Sequence, residues 1–325
     1  CLRVPACGEE MMVFEIPRVK YTGQIREVVI GTGPKAVKVG GASCYPFYRF
    51  EGEMPNPPRV AFEVWDGAPE EWQEWAVEPF RDVISDPVLW AKKCIDAYGA
   101  EMIVLQLKSA DPNGRNRPVD EVVEVVKKVS DAIDVPLLVW GTANDDKDAE
   151  LLRRVAEMTE GRNVAVGPVS DKNYKQIGAM AIGYGQVVMA SSPIDVNLAK
   201  QLNILLTNLG VNEEKVLIDP TTGSLGYGLE YTYSVMERDR MAALTQEDAK
   251  LQFPIVCNLA PEVWKTRETR LTKDDDPKLG DEKRRSVLME AVTAMTLLAA
   301  GADIVVMRHP DSVSLVKDMI GELCS

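Results

Sequence analysis

Histidine is nearly absent: the 325-residue chain has one, His309. A histidine-rich metal site is thereby excluded, and a Ser-His-Asp triad is possible only through that residue. The six cysteines (Cys1, Cys7, Cys44, Cys94, Cys257 and Cys324) form no CxxC pair. A structural zinc or a self-contained iron–sulfur cluster would need closer ligand spacing, so the thiols read as free and the compartment as a reducing cytoplasm. No apolar run reaches the ~18–20 residues of a membrane span. Basic residues are in deficit, 37 against 50 acidic, and the net charge of −13 argues against nucleic acid and anionic membrane surfaces. A polyanion would need a local positive site. No signal segment accompanies Cys1, and Cys1 to Met11 reads as a loose tail.

The chain is 46% hydrophobic and 27% charged, as expected for a globular protein with a sizeable core. Ile25 to Ile30 and Ala36 to Val39, joined by Gly31-Thr32-Gly33-Pro34-Lys35, read as a β-hairpin. The G-x-G between them leads into a strand and not a helix, so it is no dinucleotide fingerprint. Gly40 to Pro58 is an irregular connector rich in glycine, proline and aromatics. From Arg59 onward strands and helices alternate. The strands are Arg59 to Trp65, Glu101 to Leu107, Val135 to Trp140, Asn163 to Val166, Gln186 to Ala190, Val216 to Ile218, Phe253 to Cys257 and Asp303 to Met307. Helices follow at 86–98, 118–133, 147–158, 171–182, from Ser192 onward, from Leu229 onward, 286–299 and 310–323. Asp86 with Pro87 makes an N-cap and N1 proline; Ser192, Pro193 and Asp195 read as N-cap, N1 and N3.

Eight such units, with strands apolar on both faces and a length above ~250 residues, predict an α/β fold, a (β/α)8 TIM barrel with an N-terminal β-hairpin cap. The hairpin is expected at the end away from the functional loops. The expected organisation is a flexible tail over 1–11, hairpin and packed connector over 12–58, and the barrel over 59–325. An insertion spans 261–285, and its polar part, Thr266 to Arg285, reads as a solvated loop.

Function on a barrel sits at the C-terminal ends of the strands. Those positions are Asp66, Lys108, Asn144, Ser191, Asp219, Asn258, Arg308 and His309. Asp66 and Asp219 read equally well as aspartates that satisfy turn amides, and His309 as a kink before Pro310. The set offers no nucleophile–base pair, no late lysine for a Schiff base and no cluster of metal ligands. Neither a catalytic nor a metal-binding residue is assigned. After Val216 to Ile218, however, the chain enters a loop with Gly223, Gly226 and Gly228 among Thr221, Thr222, Ser224 and Tyr227, then a helix carrying Glu230 and Tyr231. Its spacing matches neither a Walker A nor a Rossmann motif. Taken alone it reads as a tight turn; at the end of strand six it is a surface able to lie against a large, polar-edged molecule.

Four stretches carry a resemblance: Pro46 to Pro58 (PFYRFEGEMPNPP), Ser192 to Leu206 (SPIDVNLAKQLNILL), Asp219 to Arg240 (DPTTGSLGYGLEYTYSVMERDR) and Met307 to Val313 (MRHPDSV). Through them, from about Met12 to its end, the chain resembles the small subunits of corrinoid iron–sulfur proteins. That family carries methyl groups in the acetyl-CoA (Wood–Ljungdahl) pathway of anaerobes. The resemblance implies a non-catalytic barrel paired as a heterodimer with a large subunit that bears the 4Fe-4S cluster. A cobalamin would be held between the two. Its methyl group would come from methyltetrahydrofolate:corrinoid methyltransferase and pass to carbon monoxide dehydrogenase/acetyl-CoA synthase. The cobalamin-ligating D-x-H-x-x-G signature is missing, as this division requires. Asp219, Thr221, Thr222, Gly223, Gly226, Tyr227, Gly228, Glu230, Tyr231, Arg308 and His309 are the residues expected to face the corrinoid. The alternative is a stand-alone pterin-binding (methyltetrahydrofolate) methyltransferase barrel using Asp66, Asn144 and Asn203.

Overall fold

The computed structural model describes residues 16–325 and the short antiparallel pair β1 (Arg3–Val4) and β2 (Met12–Val13). The tail expected over 1–11 otherwise lies outside the described residues. Strands β3 (Glu27–Ile30) and β4 (Val37–Gly40) form the hairpin, with Glu27 opposite Gly40 and Ile30 opposite Val37. Eight parallel strands follow: β5 (Arg59–Trp65), β6 (Ile103–Gln106), β7 (Leu137–Trp140), β8 (Ala165–Val169), β9 (Val187–Ser191), β10 (Val216–Asp219), β11 (Val256–Cys257) and β12 (Ile304–Met307). They pair in sequence from β5 to β10, and β12 joins β5 to β11. Closure between β10 and β11 is thin. It rests on a parallel bridge of Ile218 with Ile255 and the Ile218 N–H to Pro254 carbonyl bond of 2.8 Å. Pro254 has no N–H to give, which shortens β11 from the expected five residues to two. The result is the expected (β/α)8 barrel.

Alternation along each strand sorts the core. Val60, Phe62 and Val64 pack outward beneath the helices, whereas Ala61 joins Val104, Leu138, Ala165, Met189, Leu217, Val256 and Ile304 inside the barrel. Val28, Ile30, Val37 and Val39 of the hairpin belong to that interior cluster. The hairpin plugs the N-terminal end, held there by Gly31 N–H to Asn163 O (2.9 Å) and Asn163 Nδ2 to Val29 O (2.7 Å). Burying each of its four apolar side chains is worth roughly 1.5–3 kcal/mol. Closing that end leaves the opposite mouth for function.

The outer helices are α1 (Glu74–Val77), α2 (Pro87–Tyr98), α3 (Val119–Ala132), α4 (Asp145–Met158), α5 (Tyr174–Tyr184), α6 (Val196–Leu209), α7 (Leu229–Thr245), α8 (Ala260–Trp264), α9 (Arg267–Arg270), α10 (Glu282–Ala300) and α11 (Pro310–Cys324). Asp86 caps α2 as expected, accepting from the N–H groups of Val88 and Leu89. The start of α6 differs from expectation. Asp195, not Ser192, is its N-cap, because Ser192 N–H is taken by the Asp219 carbonyl across the strand ends. The insertion is also more ordered than a solvated loop. Thr266 and Thr269 are buried and return hydroxyl bonds to the Val263 carbonyl. The Arg285 guanidinium gathers the carbonyls of Glu268, Leu271, Leu279 and Gly280. Exposed residues such as Lys265, Arg270, Lys273 to Asp275 and Lys278 alternate with these buried anchors. Among the described residues no helix is long and apolar enough to cross a membrane.

Candidate functional site at the barrel mouth

Inward-facing positions at the C-terminal ends of the strands build a polar layer over the apolar interior. Glu63 and Arg308, 245 residues apart, form a buried ion pair, Nε to Oε2 at 2.6 Å. The guanidinium lies 3.7 Å from the centre of the Trp72 ring, with Trp65 and Trp264 also within 6 Å. Trp65 Nε1 donates to the other Glu63 oxygen at 3.0 Å. Beside this pair, Gln106 Nε2 donates to Asn258 Oδ1 at 2.9 Å. Glu290, fully buried on α10, accepts the backbone N–H groups of Arg308 (2.6 Å) and His309 (3.0 Å); burial raises its pKa against those bonds. This side of the mouth is filled by its own side chains.

His309 caps α11, its Nδ1 accepting the Asp311 N–H at 3.1 Å, and its ring stacks on Trp264. Burial lowers its pKa from 6.5 to about 4, against the pull of the Asp311 carboxylate. The imidazole is therefore neutral at pH 7. Arg308 and His309 are 3% and 1% exposed, so the two basic residues singled out in the sequence serve the mouth from beneath its surface.

The β9–β10 side is different. Asp219 accepts from the Ser191 hydroxyl and, at 3.1 Å, from the Thr221 N–H. Burial pushes its carboxyl up to about 6, with those two bonds pulling the other way. Thr221, at φ 61°, turns the chain and donates its hydroxyl to the Ser192 carbonyl at 2.7 Å. Gly223 N–H reaches the Thr232 hydroxyl at 2.8 Å. A β-carbon on Gly223 would sit 2.5 Å from the Gly228 carbonyl, so only glycine lets the two arms of the loop touch. Gly226, at φ 78°, has open space around it, and its contribution is conformational alone. The tip between these arms is braced by Tyr227 N–H to Ser224 O, 2.8 Å. It exposes Leu225 (39%), Tyr227 (51%) and Tyr231 (64%), with Glu230 beside them. Among the described residues the buried hydroxyls of Thr222 and Ser192 have no hydrogen-bond partner. Among the expected site residues, Thr221, Gly226, Tyr227, Glu230 and Tyr231 are exposed on one loop, Asp219, Thr222 and Gly223 lie buried beneath it, and Arg308 and His309 lie in the other half.

Each of the three pterin candidates has a local hydrogen-bond partner. Asp66 accepts the Ser109 N–H at 3.0 Å and the Ser109 hydroxyl, at a small hollow lined by Lys108 and Arg115. Asn144 caps α4 through Lys147 N–H. Asn203 is buried within α6 and donates to the Lys250 carbonyl at 2.8 Å. Glu63, Glu290 and Trp72 are the mouth residues that sequence reasoning passed over. Glu63 did leave a signal, as the one acid on the inward phase of an otherwise apolar strand.

A family model described as CO dehydrogenase/acetyl-CoA synthase delta subunit matches residues 27–320. The acetyl-CoA decarbonylase/synthase complex subunit delta of Archaeoglobus fulgidus is 33% identical over 339 residues, covering 98% of this chain and 74% of its own length. The subunit of the same name from Methanopyrus kandleri is 37% identical over 289 residues, covering 89% and 70%. Among solved structures, dihydropteroate synthase of Xanthomonas albilineans with 4-aminobenzoic acid superposes with a TM-score of 0.55 at 14% identity, covering 83% of this chain and 93% of that one. At that identity the likeness concerns the fold.

Proposed function

We propose that this chain, which belongs to the CO dehydrogenase/acetyl-CoA synthase delta subunit family, is a non-catalytic subunit that helps hold a corrinoid at its barrel mouth for methyl transfer. The observation that carries this reading is the contrast within the mouth. One half is packed shut by the Glu63–Arg308 pair and its tryptophan rings, and the other presents a glycine-braced loop whose rings face outward. The donor set suits the cobalamin. Tyr227, Tyr231 and Leu225 offer flat apolar area, and Glu230 and the backbone of Gly226 to Gly228 offer partners for an amide-fringed edge. Gly223 keeps the two arms of the loop in contact beneath these rings. When bound, the corrinoid supplies the centre that takes up and releases the methyl group.

This chain's own part is to cover, orient and exclude water. Asp219 and Thr221 fix the loop's origin; Gly223 and Thr232 fix its return. The metal's own ligand, the 4Fe-4S cluster and the corrinoid's other face belong to a larger partner subunit. The methyl donor and acceptor enzymes dock on the assembled pair, and the assembly works in a reducing cytoplasm. Co-expression with the large corrinoid subunit tests the reading. The complex should purify with the visible absorption of a corrinoid, and the pair Tyr227→Ala with Tyr231→Ala should lower corrinoid occupancy at least threefold while the subunits stay together. Unchanged occupancy would reject it.

A further inference from the structure

The mouth accounts for one exposed apolar surface; a second lies on the barrel wall. Helices α10 and α11 both run from the mouth toward the hairpin end and pack side by side, with Ser312 Oγ donating to the Val287 carbonyl at 3.1 Å. A soluble barrel helix ordinarily turns polar residues outward. Here Leu288 (44% exposed) and Val292 (47%) form an i, i+4 ridge on α10. Leu315 (42%), Met319 (44%) and Leu323 (44%) form a second ridge on α11. Helical phase puts Leu315 and Met319 on the same flank of α11 as Ser312, so the two ridges border one groove. Past the end of α11, Arg49 bonds the Ser325 carbonyl at 2.8 Å, and its neighbours Tyr48 (50%) and Phe50 (46%) are exposed with ring centres 5.3 Å apart. Together these seven side chains expose on the order of 600 Å² of apolar surface. That is the upper limit of what a monomer ordinarily leaves in one patch, and most of the ~800 Å² each partner buries in a standard interface.

Charge narrows the occupant. Asp311, Asp318 and Glu322 follow the outward edge of α11 and are exposed. Among the described residues none of the three pairs with a lysine or arginine; Asp311 approaches only the neutral His309. A second copy of a chain with net charge −13 would set like rows against each other. An anionic membrane is excluded on the same ground. Two ridges of four-residue spacing on adjacent helices make a groove that fits a third helix.

We propose that the α10–α11 groove docks an amphipathic helix of another subunit, with an apolar stripe at i, i+4, i+7 and lysine or arginine along the edge that meets Asp318 and Glu322. The large corrinoid-bearing subunit is that partner; its identity rests on the function proposed above, whereas the surface does not. The double variant Val292→Glu with Met319→Glu places charge in the groove without touching the mouth. In titrations of the purified chain with the large subunit it should raise Kd at least 100-fold, with circular dichroism and Tm close to wild type. Asp318→Lys with Glu322→Lys should weaken binding about tenfold and reduce its dependence on salt, and Met319→Leu should bind normally. Wild-type affinity in the glutamate variant overturns the proposal. So does a homodimer of the chain alone that the glutamate variant dissolves, since the groove would then be a self-contact. The mouth is read separately: Tyr227→Ala with Tyr231→Ala is scored by corrinoid occupancy and not by affinity for the large subunit, so failure of the corrinoid reading leaves the docking result intact.

Discussion

Where β5 meets β12 at the mouth, the charged groups are already matched: Glu63 with Arg308, and Glu290 with two backbone donors. Where β9 meets β10, the buried groups are only partly matched. Among the described residues Asp219 has no cation beside it, and the hydroxyls of Ser192 and Thr222 have no partner; in the first half the unpartnered atoms, Gln106 Oε1, Trp264 Nε1 and His309 Nε2, are likewise uncharged. On α7, below the loop, Asp239 is buried with neither carboxyl oxygen hydrogen-bonded. A buried ion pair is costly to make and costlier to break. The first half therefore behaves as scaffold. The second has kept surface and polar capacity that the chain does not use on itself.

Breaking the scaffold half should have the largest effect. Glu63→Gln leaves the Arg308 guanidinium buried without a counter-charge, its aromatic neighbours compensating only in part. Such a loss costs about 3–5 kcal/mol, read as a lower denaturation midpoint at unchanged slope. A variant within 1 kcal/mol of wild type would show that the tryptophan rings alone carry the cation.

The next effect separates the halves by pH. In the open half, burial pushes Asp219 up to about 6 and Asp239 up to about 7 from 3.8. Their folded pKa values exceed the unfolded ones. The stability they contribute is thus full below pH 3.8 and is lost as pH rises through 6 and 7. His309 in the scaffold half has the opposite sign. Its folded pKa of about 4 lies below 6.5, so its contribution is full above 6.5 and is lost as pH falls through 4. Asp239→Asn should gain stability over wild type on the order of 2–4 kcal/mol at pH 8, and little at pH 4. A gain that is equal at both pH values would mean that the carboxyl has the same pKa folded and unfolded.

The sequence made some of this legible. Alternating apolar runs and turn signals disclosed the barrel, and Asp86-Pro87 disclosed a helix start. Those are local patterns, each written within a dozen residues. The glycine-rich loop after β10 was legible for the same reason. The Glu63–Arg308 pair was not, because no local rule joins residues 245 positions apart. Arg308 and His309 were read as facing a ligand since barrel ends usually do. The fold lays Trp72 and Trp264 over and beside them. Ser192 was mistaken for a cap because the competing claim on its backbone comes from Asp219, on the neighbouring strand.

Within the open half, Gly223 and Gly226 sharpen the comparison. Gly223→Ala drives a β-carbon into the Gly228 carbonyl and should cost about 1–3 kcal/mol, with a displaced loop. Gly226→Ala meets no atoms and should cost only about 1 kcal/mol, from its positive φ. Corrinoid occupancy of the complex should fall with the first and hold with the second. Equal losses from both would mean that conformational freedom, not contact between the loop arms, shapes the surface.

The smallest effect on stability belongs to the residues placed nearest the ligand. Tyr227 and Tyr231 are more than half exposed, and no side-chain hydrogen bond or ring stacking holds either one. Replacing both with alanine removes little buried area, so the chain alone should unfold within ~0.5 kcal/mol of wild type. A pair of outward rings is presented by a loop whose shape depends on the close contact of Gly223 with Gly228. If the rings serve a bound corrinoid, their loss should appear only in the complex, as lower occupancy and faster release of the cofactor on dilution. A substantial drop in the stability of the isolated chain would place them with the scaffold half and dissolve the distinction between the two sides of the mouth.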